Sequence, residues 1–194
     1  IKLRVWLVLA IAALSISSCL KDDNNSYSVQ VAGVALINAA PGSEALDFIS
    51  DGNRNYLPTL FAYDTVLSYR SAYPGFRVFG VTRHNSNELL SSQQFYLEPA
   101  VAYSLFVTDT IGDVKLVLLK DSLGSSQDST KATIRFANMS ANAPNLTLSL
   151  VAGTTTELKS IAFSKASGFE AVAPADAYTL KLINSENQQV LATK

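Results

Sequence analysis

The chain has 194 residues, of which 48% are hydrophobic and 16% charged, and its formal net charge at neutral pH is −1. No stretch is rich in Lys or Arg, which excludes the electrostatic footprint of a nucleic-acid-binding protein, so no nucleic acid is expected as a partner. One cysteine and one histidine exclude an intramolecular disulfide and a multi-histidine metal site.

The first nineteen residues have three parts. Lys2 and Arg4 are basic, Val5 to Ile16 is apolar apart from Ser15, and the small residues Ser17 and Ser18 lead into Cys19. A basic start, a short apolar stretch and a small-residue end make a secretory signal. The apolar part falls short of the roughly 20 residues that a spanning helix needs, and polar Lys21-Asp22-Asp23-Asn24-Asn25 follows at once. Leu14-Ser15-Ile16-Ser17-Ser18-Cys19 resembles a bacterial lipobox. The resemblance implies that residues 1–18 are a removable lipoprotein signal peptide and that the Cys19 thiol is lipidated. The membrane is then a partner through that lipid. Each buried methylene contributes about 0.8 kcal/mol and one chain anchors only marginally, so stable attachment takes more than one. Residues 19–28 read as a flexible tether. Within it Lys21, Asp22 and Asp23 resemble the lysine-plus-two-acids export signal of surface lipoproteins in some Gram-negative bacteria. That implies a lipid-anchored outer-membrane protein on the cell surface, with the periplasmic face as the alternative.

Setting aside Lys2 and Arg4 leaves 13 of the 15 basic residues against 16 acidic ones, so the mature part is mildly acidic. Short runs rich in Val, Leu, Ile, Thr, Tyr and Phe, punctuated by Gly and Pro, predict strands. They fall at Ser28 to Asn38, Ala45 to Ser50, Leu60 to Tyr63, Thr65 to Tyr69, Arg77 to Thr82, Gln93 to Leu97, Ala102 to Thr108 and Val114 to Leu119. Asp51-Gly52-Asn53, Pro41-Gly42 and Pro74-Gly75 are turn signals. No segment outside the signal carries a 3.6-residue apolar stripe. The expectation is an all-β sandwich. Asp47 and Thr147, flanked by apolar neighbours, are expected to face solvent while Leu46, Phe48, Leu146 and Leu148 face the core.

The second half echoes the first at an offset near 100 residues. Val34-Ala35-Leu36-Ile37-Asn38 corresponds to Ile134-Arg135-Phe136-Ala137-Asn138, Leu46-Asp47-Phe48 to Leu146-Thr147-Leu148, and Tyr69 to Phe169. Arg77-Val78-Phe79-Gly80-Val81 corresponds, after one inserted residue, to Tyr178-Thr179-Leu180-Lys181-Leu182. Two tandem β-sandwich units are expected, over residues 29–122 and 132–194, joined by a polar linker at 123–131. Counterparts of the runs at Gln93 to Leu97, Ala102 to Thr108 and Val114 to Leu119 are missing from the second unit, which is therefore expected to be incomplete, with the native protein extending beyond Lys194.

Val34-Ala35-Leu36-Ile37-Asn38-Ala39-Ala40-Pro41 followed by Ala45-Leu46-Asp47-Phe48-Ile49-Ser50-Asp51-Gly52 resembles the opening of the domain-of-unknown-function 4397 family. Tyr69, Pro74-Gly75 and Ala102-Tyr103-Ser104-Leu105-Phe106-Val107 fit later positions. Ala40 and Asn138-Met139-Ser140-Ala141 depart from the family pattern. The resemblance covers roughly residues 30 to 120, with a diverged second copy from Thr133. It implies an immunoglobulin-like β-sandwich on a cell-envelope protein and no particular activity, because a fold does not dictate function.

Motifs for chemistry are sparse. His84 sits in Thr82-Arg83-His84-Asn85-Ser86-Asn87, a hairpin tip, and reads as a solvated loop residue. No Gly-x-Ser-x-Gly elbow supports a nucleophilic serine, and no Gly-rich phosphate loop occurs. Asp47, Asp51, Asp64 and Glu98 are scattered singly, whereas a glycosidase needs two carboxylates held across one bond. Asp109, Asp113 and Asp121 lack the spacing of a calcium loop. No enzyme, catalytic residue, metal or cofactor is expected. Tyr56, Phe61, Tyr63, Tyr69, Tyr73, Phe76 and Phe79 crowd one stretch beside Arg54, Arg70 and Arg77. Tyr56 and Tyr73 are the candidates for contact with a glycan or protein ligand. The reading is a surface-exposed binding or adhesion module; the alternative is a structural or accessory outer-membrane lipoprotein, a spacer or complex subunit.

Overall fold

A computed structural model of the chain describes residues 30–121 and 128–194. The signal segment 1–18, Cys19, Lys21, Asp22, Asp23, the tether and the first part of the 123–131 linker lie outside the described residues. Among the described residues every regular element is a strand, and no helix is long and apolar enough to cross a membrane.

The first unit holds β1 (Ala32–Asn38), β2 (Leu46–Ser50), β3 (Asn53–Arg54), β4 (Val66–Ala72), β5 (Gly75–Arg83), β6 (Leu89–Leu97), β7 (Ala102–Thr108) and β8 (Lys115–Lys120). One sheet has the order β4-β1-β7-β8 and the other β3-β2-β5-β6. β1 runs antiparallel to β4 and parallel to β7. Val34 and Leu36 face the second sheet and are almost fully buried, while Gly33 and Ile37 on the other face of β1 are only partly covered. Inward side chains of the two sheets interleave in one core: Val34, Leu36, Leu67, Leu105 and Val107 from one, and Leu46, Phe48, Phe79, Val81 and Leu97 from the other. Each such burial contributes about 1.5–3 kcal/mol. This is a two-sheet β-sandwich.

Turn chemistry places the strands. Asp51 and Gly52 form the two-residue connection between β2 and β3, with φ of 50° and 79°. A primed hairpin turn requires positive φ at both positions, which Asp-Gly supplies. Gly75, at φ 96°, follows Pro74 at the corner where the chain passes from β4 in one sheet to β5 in the other. The run expected as a strand at Leu60 to Tyr63 forms only the single bridge Leu46 to Phe61. Phe61 is fully buried there, so apolar character in this run reports a core plug and not a ladder.

The second unit holds β9 (Ala132–Ile134), β10 (Ala137–Asn138), β11 (Leu146–Ala152), β12 (Thr154–Ile161), β13 (Lys165–Ala166), β14 (Glu170–Val172), β15 (Thr179–Asn184) and β16 (Val190–Thr193). Its hydrogen-bond register repeats that of the first. Ala32 pairs with Ala72 and Ala132 with Val172; Ile37 pairs with Val66 and Ala137 with Ala166. The bulge after the Val81–Ser91 pair recurs after the Leu182–Ala192 pair, again by one residue on the second strand. A bulge re-aims every residue beyond it, so its recurrence marks a built feature of both units.

Packing differs between the units. Leu36, Phe48, Phe79 and Val81 are fully or almost fully buried, whereas their counterparts Phe136, Leu148, Leu180 and Leu182 are half-exposed. In the first unit β7 and β8 close the core over these positions; among the described residues β9 and β10 have no parallel neighbour. Leu148 was expected in the core and is only partly covered. Thr147 was expected in solvent and is buried. Its Oγ1 lies 2.9 Å from Ser185 Oγ and accepts a bond from Ser160 N–H at 3.3 Å.

Candidate functional site

Two units in one chain provide an internal control: what both carry serves the fold, and what one carries alone is available for function. Asn38 ends β1 fully buried. Its amide donates to Ser43 Oγ and to Phe61 O, each at 3.0 Å, and its Oδ1 accepts from Ala40 N–H at 3.1 Å. Asn138 does the same to Pro144 O, Ile161 O and Ser140 N–H. A buried amide that satisfies loop backbone on both sides is structural, and the family-like Asn after the first strand is therefore a loop anchor.

The second residue of β2 differs between the units. Asp47 pairs in register with Thr82, points away from the core, and is covered by three groups. Its Oδ1 lies 2.7 Å from His84 Nδ1, while Oδ2 accepts from Asn85 N–H at 3.0 Å and meets Arg54 Nη1 at 3.1 Å. Arg54 also donates to Ser86 O. Burial works to raise the Asp47 carboxyl, but the bonds from His84 and Asn85 and the charge of Arg54 outweigh it and hold the group below its ordinary value. His84 is the solvent-exposed residue of the hairpin tip that was expected, and there it is also held by a carboxylate. Thr147 with Ser185 makes the corresponding neutral contact in the second unit. The role is a clasp, from β2 onto the β5–β6 tip in the first unit and from β11 onto the β15–β16 tip in the second. No linear spacing announced it, because Asp47 and His84 meet only through the β2–β5 register.

Tyr56 and Tyr73 are both strongly exposed, at 84% and 67%. They stand on two adjoining pockets that share Asn55. The first, about 560 Å³, lies between the Asn55–Phe61 loop and the clasp, with Tyr56, Leu57 and Leu60 opposite Asp47, Arg54 and His84. The second, about 220 Å³, opens into the end of the sandwich, with Tyr73, Arg70 and Arg77 at the mouth and Phe48 and Phe79 behind. Arg70 donates to Tyr56 O at 2.9 Å and so fixes the loop between them. Asp51 accepts Val78 N–H at 2.9 Å and Arg77 at 3.0 Å, the first of these being the larger cause that holds its carboxyl below the ordinary range.

Of the other aromatics, Phe61 and Phe79 are core, and Tyr63, Tyr69 and Phe76 are exposed. Asp109 and Asp113 are both taken up by Lys115, at 2.7 and 3.2 Å. Among the described residues no group of three or more His, Cys, Asp or Glu side chains converges on one point. Asp121 forms a different centre. It accepts Tyr69 Oη at 2.8 Å and Ser104 Oγ at 2.7 Å, and it is ion-paired to Arg135 of the second unit. Arg135 also donates to Lys120 O at 2.9 Å and lies over the Phe169 ring at 4.6 Å. Thr108 Oγ1 donates to Met139 O at 2.7 Å across the same junction. Sequence alone paired Tyr69 with Phe169 as repeat counterparts; the structure brings both to the Asp121–Arg135 pair.

The fold defines a class, a two-sheet all-β sandwich with a second, register-matched set of strands. The model of the family described as a domain of unknown function (DUF4397) matches residues 32–149, more than half of the chain, and the chain belongs to that family. The match starts at β1, crosses the 123–131 segment and ends within β11, so it is not confined to the first unit. No curated protein matches the chain.

Proposed function

We propose that this is a non-catalytic binding module of the cell envelope, lipid-anchored at Cys19 and displayed on the outer surface. The observation that carries the binding reading is the pair of exposed tyrosines on adjoining pockets, Tyr56 and Tyr73. Exposed aromatics beside concave, partly apolar surfaces are the usual anchors of recognition. The anchoring reading is supported by the lipobox-like approach to Cys19 and by Lys21-Asp22-Asp23 directly after it.

The test is protease shaving of intact cells with a periplasmic control protein followed alongside. Cleavage of this protein while the control survives supports surface display; survival of both until the membrane is broken returns Lys21, Asp22 and Asp23 to the role of a tether. For binding, Tyr56→Ala and Tyr73→Ala are expected to weaken ligand capture at least fivefold with unchanged thermal unfolding, since neither ring is part of the core. The second reading is a structural spacer, favoured by the Asp121–Arg135 tie between the units. It predicts co-purification with other envelope proteins that is insensitive to both tyrosine substitutions.

A further inference from the structure

The two units share one sheet design, so a contrast between their outer faces is not imposed by the fold. Along β5 the outward residues are Phe76, Val78, Gly80 and Thr82; the register-equivalent positions of the second unit are Ala177, Thr179, Lys181 and Ile183. Phe76 stands opposite Tyr96 of β6, with ring centroids 5.2 Å apart at 65°. The two are 67% and 56% exposed, and Val78 and Leu89 on the same face are exposed as well. Exposed aromatic and aliphatic side chains on a sheet face whose other side already packs the core are available for an interaction.

Beside the aromatic pair lies a groove of about 320 Å³ floored by Ile49, Val78 and Gly80 and edged by Asn87 and Ser92. Gly80 keeps the floor low: a Cβ there would lie 3.1 Å from Ser91 O and 3.4 Å from Leu89 Cδ1. Thr82 also lines the groove, is only 2% exposed, and its Oγ1 has no hydrogen-bond partner among the described residues. A buried hydroxyl without a partner is costly unless something supplies one. Arg54, at the same edge, is already matched by Asp47 and Ser86 O, so the groove carries no uncompensated charge.

We propose that this face binds a neutral oligosaccharide lying along β5, stacked on Phe76 and Tyr96 and reaching Thr82 as the exposed Leu89 side chain swings aside. From Phe76 to Thr82 the strand runs about 20 Å, room for a short oligosaccharide. The apolar floor and aromatic faces suit the C–H faces of sugar rings. Asn87, Ser92 and the exposed Gln94 suit their hydroxyls, and the absence of unmatched charge disfavours an anionic chain. A partner strand is disfavoured because the face presents side chains and not an open backbone edge. The proposal rests on the reading of the protein as a binding module but uses other residues than Tyr56 and Tyr73.

The test is migration of the protein in native gels cast with laminarin, amylopectin, arabinoxylan or galactomannan. Retardation by at least one polysaccharide is expected, weakened about tenfold by Phe76→Ala and by Tyr96→Ala. Tyr63→Ala, an exposed aromatic elsewhere, should change nothing, and all variants should melt as the wild type does. No retardation in any gel overturns the proposal. So does retardation that Phe76→Ala and Tyr96→Ala leave intact; if Tyr56→Ala or Tyr73→Ala then abolishes it, the binding reading stands and the site is theirs.

Discussion

Asn38 illustrates how one side chain decides a local fold. It sits where β1 ends, and its side-chain bonds serve the loop to β2 and the Phe61 plug together. Asn38→Ala leaves several buried groups without partners and is expected to cost about 3 kcal/mol, read as a lower urea midpoint. Asn138→Ala should cost less, because the surrounding second unit is less covered. Asp47 makes a pH-dependent contribution. Its folded carboxyl lies below the ordinary value of 3.8, so the stability it adds is fully present above that value and fades as the pH falls through the folded value. The stability gap between the wild type and Asp47→Asn should therefore hold steady near pH 5 and close well below pH 4, as measured by urea titration at each pH. Neither contact was legible in the sequence. A residue type and its flanks show which way a strand side chain points, but not which loop folds back to cover it, and this is why Thr147 was misplaced in solvent and the Asp47 partner of the exposed His84 was missed.

At the level of the strand, period-2 alternation found most of the ladder. Ala102 to Thr108 was read with the bounds of β7, and the Asp-Gly turn after β2 was read from its chemistry. Boundaries slipped where a bulge breaks alternation: β6 begins at Leu89, four residues before the expected Gln93. Leu60 to Tyr63 failed for a related reason, since apolar residues serve a core plug as readily as a strand. Equivalent strands in the two units offer a controlled comparison of burial. Phe79→Ala in β5 removes a fully buried ring and is expected to cost about 3–5 kcal/mol. Leu180→Ala, its half-exposed counterpart in β15, should cost about 1 kcal/mol, because less transfer energy is lost and solvent already reaches the site. Chemical unfolding of both variants checks the contrast, and equal losses would show that β15 is as well covered as β5.

Across the whole molecule the Asp121–Arg135 pair ties the end of β8 to the start of the second unit. Both side chains are largely buried, at 7% and 13% exposure. Removing one partner leaves the other charge in a poorly solvated place, a change that costs about 3–5 kcal/mol where no other group compensates. Tyr69 and Ser104 soften the loss at Asp121 when Arg135 is replaced. Arg135→Ala is therefore expected to lower the melting temperature of the second unit more than that of the first and to separate one calorimetric transition into two. A single unsplit transition would show that the remaining contacts, Thr108 to Met139 and Lys115 over Phe163, suffice to couple the units.

Composition, alternation and turn residues by themselves determined that the regular elements of the described chain are strands, that its first unit packs as a sandwich, and that its halves correspond at an offset near 100 residues. These are properties of short windows or of self-comparison, and local sterics and periodic burial encode them directly. Tertiary structure alone decided what lies across from what: His84 beside Asp47, Asp121 beside Arg135, and the aromatic outer face that Phe76 and Tyr96 build from two strands. Such contacts depend on strand register and sheet order, which bring together residues tens of positions apart without leaving a spacing in the sequence.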